Sequence, residues 1–365
     1  MDHSTTSNLA SHSLTGGAAR RSHEFLHWIV RWVLFFLVCA GLGYTAIERY
    51  DPRTTPALSD TALYYRLVAG EEVQARDMRF RILVPYVARP VYLLARRLFD
   101  PARSVYLGLL IANSMFCATT ACLLVSAGIR VTANLAVALL ASALYLLNFA
   151  ITNLQLAGMI DAGEACFIMA VTATLFVDRW WPLSLWGLFG ALAKETFVPL
   201  AGIFAIVWWL SAQRKQKDRW PKLMWVATMV GVGILAIVFS RLSIIANFNH
   251  PGISVVAGGF AGGDILSVRN PGPGYFSRLV TVLSSRSFWY VFIWLLPLGM
   301  VGLRRLPRAW VFASILSGVA ALALGLEKNI GGNVARPIFD VMGPLLSLST
   351  AMLLVGCSKS VNSGL

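Results

Sequence analysis

The residues able to do chemistry in this chain fall into four short groups at the margins of long apolar runs. The first is SDTALYYRLVAGEE, holding Asp60, Tyr64, Tyr65 and Arg66, followed by MRFRILVP with Arg79 and Arg81. The second is LAGMIDAGEACF, with Asp161 and Glu164 three residues apart. The third is GALAKETFVP, with Lys194 and Glu195, and the fourth is GLEKNIGGNVARPIFDVMGP, with Glu327, Lys328, Arg336 and Asp340. Carboxylates serve as general bases or cation ligands, while arginine and lysine hold phosphate. That combination suits transfer from a phosphate-bearing lipid donor. No convincing Ser/His/Asp or Cys/His arrangement accompanies it.

Each residue also has an ordinary structural role open to it. Ser59 and Asp60 can cap a helix beginning there, and Ser59 suffices alone. Asp161 and Glu164 share a helix face and a favourable helix dipole. Lys194 and Glu195 can form a solvated turn or neutralise each other, and Arg336 can snorkel to lipid headgroups.

The surrounding sequence is that of a membrane protein. Of 365 residues, 57% are hydrophobic and only 13% are Asp, Glu, Lys or Arg, against about 25% charged in soluble domains. At roughly 20 residues per crossing the length allows about ten helices, which leaves no room for a separate soluble catalytic domain. The net charge of +14 therefore points to basic cytoplasmic loops rather than to nucleic acid. Five cysteines scattered through apolar runs form no CxxC pair, which argues against a disulfide framework or a zinc site. His23 and His27 stand four apart in the polar N-terminal tail.

The expected fold is all-α, a polytopic bundle over 28–357 between a disordered cytoplasmic tail, 1–27, and a short cytoplasmic tail, 358–365. Spans are expected at Trp28–Ile47, Ser104–Ala127, Val131–Ala150, Gly163–Val177, Leu183–Ala193, Phe197–Ser211, Leu223–Ile245, Phe288–Leu303, Ala309–Leu326 and Pro337–Cys357. With both termini inside, Arg130, Arg179, Arg214, Lys215, Lys217, Arg219, Lys222, Arg304, Arg305, Arg308 and Lys359 all face the cytoplasm, as basic loop residues should. A bacterial inner membrane fits this pattern. Two external loops follow, 48–103 and 246–287, the first with ten Arg and no Lys against seven carboxylates and the second rich in Gly and Pro. Within the first, Ile82–Phe99 is apolar but interrupted by Arg89, Arg96 and Arg97. Mid-bilayer charges cost about 2.5–3.5 kcal/mol each, so an interfacial amphipathic helix is expected there.

In this order the residues resemble the GT-C class of integral-membrane glycosyltransferases. The likeness is carried by an external Asp in SDTALYYRLVAGE, the segment RFRILVPYVARPVYLLARRLF, Asp161 opening a helix, LWGLFGALAKETFVPL, and an Arg-Pro before the last helix. It runs from about Trp28 to Leu354. The resemblance implies a polyprenyl-phosphate sugar as donor and work at the outer membrane face. It makes Asp60 the catalytic base and Arg79, Arg81, Lys194 and Arg336 the phosphate or donor contacts. Asp161, with Glu164, Glu195 and Tyr64, would place acceptor or metal, a divalent cation being the one candidate cofactor. The competing expectations are a lipid-linked sugar flippase, a small-solute transporter, or an accessory membrane subunit. Inverted repeats and broken helices, which transporters favour, are not evident in the sequence.

Overall fold

A computed structural model describes residues 25–45, 59–71, 81–212, 219–247, 274–327 and 334–362; at 59, 60, 62, 212, 219, 243–247 and 357–362 it describes backbone alone. Among the described residues the chain is helical and contains no strand. Helix α1 spans Phe25–Thr45. After it come α2 (Ser59–Ala69), α3 (Leu83–Ala95), α4 (Pro101–Thr132), α5 (Leu135–Leu146), a π-helical turn (Ile151–Gln155) and α6 (Asp161–Val177). The chain continues as α7 (Leu183–Ala193), α8 (Phe197–Ala212), α9 (Arg219–Asn247), α10 (Tyr275–Leu283), α11 (Arg286–Phe292), α12 (Leu295–Gly302), α13 (Arg308–Glu327) and α14 (Ala335–Asn362).

Side-chain contacts fix the directions of these helices. Trp32 donates to Thr119 Oγ1 and Ser142 Oγ donates to the Ala121 carbonyl, so α1 and α5 both run antiparallel to α4. Trp186 Nε1 reaches Thr174 Oγ1 and Gly163 lies against Ala193, which sets α7 against α6. Ser317 Oγ donates to the Leu200 carbonyl and Trp208 and Trp310 both meet Phe176 edge to face, setting α13 against α8. Helices α1, α5, α7, α9 and α13 thus point one way, and α4, α6, α8, α12 and α14 the other. Close approach depends on small residues. A Cβ on Gly187 would stand 2.3 Å from the Met229 carbonyl oxygen, and one on Gly302 2.5 Å from Ser349 Oγ.

Where described, all ten expected runs are mainly helical, but they are not ten equal crossings. Among the described residues, five helices are long and apolar enough to cross a membrane: α1, α4, most of α9, α13 and most of α14. The expected span Phe288–Leu303 is α11 and α12, bent by 42° between Phe292 and Leu295. The bend leaves the Val291 carbonyl to accept from Asn148 Nδ2 at 3.0 Å. Four other expected spans, α5, α6, α7 and α8, have only 12, 17, 11 and 16 residues and fall short of those five. The expected boundary between Ala127 and Val131 also moves. Helix α4 runs on to Thr132, Ala133 turns left-handed at φ 50°, and Asn134 caps α5 by accepting from Ala136 N and Val137 N.

Helix α3 has thirteen residues, about 20 Å at 1.5 Å per residue. It lays Val84, Ala88 and Tyr92 on α4 and α2 while Arg89, Arg96 and Arg97 stay exposed. Of the second external loop, 248–273 lies outside the described residues, and its C-terminal part is helical as α10 and the start of α11.

Candidate functional site

All four groups contribute to one cluster at the end of the bundle away from Arg130, Arg304 and Arg305. The geometry starts from backbone. Helix α7 stops at Lys194, which turns extended (φ −163°, ψ 135°) while its N–H still reaches the Gly190 carbonyl. Phe197 N then bonds back to the Lys194 carbonyl at 3.1 Å, so Lys194–Thr196 forms a tight turn between α7 and α8. This turn is pressed into the protein: Lys194 is 7% exposed.

Lys194 Nζ donates to Asp161 Oδ1 at 2.6 Å and to Glu164 Oε2 at 2.5 Å. Glu164 Oε1 accepts from Thr196 Oγ1 at 2.6 Å, and Asp161 Oδ2 accepts from Arg336 Nη1 at 3.0 Å. Both carboxylates are buried in the first turn of α6. They cap nothing there, because their oxygens go to other segments. Arg336, in turn, points inward rather than to headgroups. One turn along α14, Asp340 Oδ1 accepts from Gln155 Nε2 at 2.9 Å. Its Oδ2 is buried with no hydrogen-bond partner.

Beside this core lies a second pair. Arg81 grips Glu195 with two donors, Nε to Oε2 at 2.9 Å and Nη2 to Oε1 at 2.6 Å, and gives Nη1 to the Tyr64 hydroxyl at 2.9 Å. Lys194 and Glu195 therefore do not neutralise each other; each has its own partners. Burial pushes the Glu195 carboxyl up, but hydrogen bonds from Arg81 and its charge outweigh this and hold it below the usual carboxylate range. Burial likewise raises the Tyr64 hydroxyl, against the pull of Arg81.

In the core, Asp161, Glu164 and Asp340 lie beside Lys194 and Arg336. These three carboxylates each bring an oxygen within 4.8 Å of the others, which is the donor set a divalent cation needs. The fit is poor all the same. The Lys194 ammonium already lies between Asp161 and Glu164, where a bridging ion would have to sit, and Arg336 takes the remaining Asp161 oxygen. Lysine is the resident cation of this cluster.

Of the residues singled out by sequence, Tyr64, Arg81, Asp161, Glu164, Lys194, Glu195 and Arg336 are thus brought together. Arg79 and the side chain of Asp60 lie outside the described residues; the Asp60 backbone falls in the first turn of α2, four residues before Tyr64. Thr196, Gln155 and Asp340 join the cluster without having been singled out as site residues. The Arg336–Asp340 spacing of four marks one helix face, and Gln155 sits in the widened π turn that often accompanies functional sites. His23-Glu24-Phe25-Leu26-His27 also spells the HExxH pattern of zinc hydrolases; His27 is exposed at the start of α1, while His23 and Glu24 lie outside the described residues. Comparison with protein-family models and with curated proteins gives no match for this chain.

Proposed function

We propose that this chain is a multi-pass membrane glycosyltransferase of the GT-C type, moving a sugar from a polyprenyl-phosphate donor to an acceptor at the outer membrane face. The proposal includes a bacterial inner membrane, cytoplasmic termini and ten passages through the bilayer, some made by short or bent helices. The supporting observation is the meeting of Arg81, Lys194 and Arg336 with four carboxylates at one end of an apolar bundle. Arginine-rich loops occupy the other end, as the cytoplasmic side of a membrane protein requires.

In this reading Asp60 takes the proton of the acceptor hydroxyl, or orients it, as that oxygen attacks the anomeric carbon. The cationic side chains stabilise the charge on the departing phosphate, and one displacement inverts the anomeric centre. Lys194 and Arg336, being buried, act mainly by holding the carboxylates and the turn in place. Arg81 is the cation nearest the surface, with a side chain 17% exposed. An apolar cavity of about 190 Å³, lined by Phe288, Phe292, Leu322, Ile338 and Met342, lies on the face of α14 away from Asp340 and suits a lipid chain.

Transfer from a labelled lipid-linked sugar in proteoliposomes tests the reading. Asp60→Asn should abolish transfer while leaving donor binding intact, because Asn caps a helix about as well as Asp but cannot accept the proton. Turnover like that of the wild type would reject Asp60 as base. A second reading, transport or flipping of the lipid-linked sugar, draws on the bent α11–α12 pair and the short α7–α8 hairpin, since transporters build sites from discontinuous helices. No transfer by the wild type, with movement of the donor across the bilayer, would favour it.

A further inference from the structure

The ion pairs of the cluster differ in how an anion could reach them. Asp161 and Glu164 are 4% and 0% exposed, whereas Arg81 and Glu195 are 17% and 19% exposed. Arg336 is 13% exposed, but on a buried carboxylate; Arg81–Glu195 is the described ion pair of the cluster in which both partners meet the surface. A guanidinium giving two parallel N–H bonds to a carboxylate offers those donors, at the same spacing, to two oxygens of a phosphate. The third donor of Arg81 stays on the buried Tyr64 hydroxyl, which keeps the guanidinium oriented when the carboxylate leaves. Glu195 sits in a turn closed by the Phe197 N–Lys194 carbonyl bond, so its departure asks for a side-chain rotation and no helix unwinding.

We propose that Arg81 is an oxyanion site held shut by Glu195. A phosphate monoester, the lipid phosphate left once the sugar has departed, replaces the Glu195 carboxylate on Arg81 Nε and Nη2, and Glu195 turns outward. Glu195 is then a selectivity element, because a neutral or weakly anionic headgroup does not displace an ionised carboxylate from a guanidinium. The exchange makes and breaks no covalent bond. It rests on the reading above for the class of the ligand, a lipid phosphate, and adds the competition that governs its binding.

The test is binding of farnesyl phosphate and of inorganic phosphate to the full chain in detergent, for the wild type, Glu195→Gln and Arg81→Gln. Glu195→Gln should bind farnesyl phosphate roughly tenfold more tightly, and Arg81→Gln roughly tenfold more weakly. Both variants lose the same ion pair, so a purely structural pair would move both affinities in one direction. Both weakened, or both unchanged, would overturn the proposal. Tightening seen with both ligands shows that the phosphate group suffices; tightening with farnesyl phosphate alone shows that the lipid is needed; either supports the exchange. Should Glu195→Gln not insert, Glu195→Asp, one methylene too short for the fork, should tighten binding about threefold, and a weakening there counts against the exchange. The assay reads binding and not transfer, so a failed Asp60 experiment leaves its outcome standing.

Discussion

Helix α6 opens on one aspartate and is capped at its far end by another, and each holds a lysine. Asp161 accepts from Lys194 at 2.6 Å, and Asp178 accepts from Lys222 at 2.7 and 2.8 Å. The bond lengths are alike; the surroundings are not. Asp178 is a left-handed cap, φ 57°, just past the helix end, also held by Trp180 Nε1 at 2.7 Å, and its side chain is 56% exposed. Asp161 is 4% exposed and shares Lys194 with a second carboxylate that is 0% exposed. The first pair is a surface clasp between α6 and α9. The second is a buried charge network whose members survive only together, since an ion removed from water needs its partners to offset desolvation. Arg81–Glu195 stands between the two in exposure.

The largest effect should follow from breaking the buried pair. Lys194→Met keeps the length of the side chain but leaves Asp161 and Glu164 facing each other without their shared ammonium. A loss of about 3–5 kcal/mol is expected for an uncompensated buried charge, read as a large fall in thermal stability of the detergent-solubilised protein. Adding Glu164→Gln should recover part of it, because one of the two stranded charges is then gone. A single variant as stable as the wild type would mean that the cluster is wetter than its burial shows.

How legible this was from sequence depends on the element. Leu183–Ala193 is bounded as expected, because Pro182 and the charged Lys194-Glu195 punctuate a uniform apolar run. The break inside Phe288–Leu303 was only half legible: Pro297 withholds an N–H from the preceding turn, whereas the donor that meets the Val291 carbonyl, Asn148 Nδ2, comes from 143 residues away. The cluster followed the same pattern. Charges at helix margins marked Asp161, Lys194 and Arg336, but spacing along the chain cannot say who pairs with whom. Asp161 is bonded across 33 residues to Lys194 and across 175 to Arg336. Gln155 and Thr196, being uncharged, gave no comparable signal.

An intermediate effect is expected where exposure is intermediate, and it appears as a pH dependence. The Glu195 carboxyl is held below its ordinary value, burial opposing and Arg81 prevailing. A depressed carboxyl contributes stability above its unfolded pKa and loses it as pH falls through the folded pKa. The wild type should therefore lose stability on acidification below about pH 4.3, the ordinary glutamate value, more steeply than Glu195→Gln, in which that proton-linked contribution is absent. Parallel profiles for the two proteins would show that the Arg81 fork adds no net stability.

The smallest effect should come from Lys222→Met at the other end of α6. Lys222 lies with its Nζ 5.6 Å from the centre of the Trp180 ring, and methionine retains most of the apolar stem that packs there. What is lost is an ion pair whose carboxylate is more than half exposed, so water takes over its solvation and Trp180 Nε1 still donates to it. Exposed pairs contribute about 0–1 kcal/mol and weaken with salt. The same thermal measurement should thus place Lys222→Met within about 1 kcal/mol of the wild type, with the gap narrowing as ionic strength rises. A loss as large as that of Lys194→Met would remove the distinction between clasp and network. It would mean that the two lysines held by the aspartates at either end of α6 hold the bundle equally, and that burial is not what sets the cluster apart.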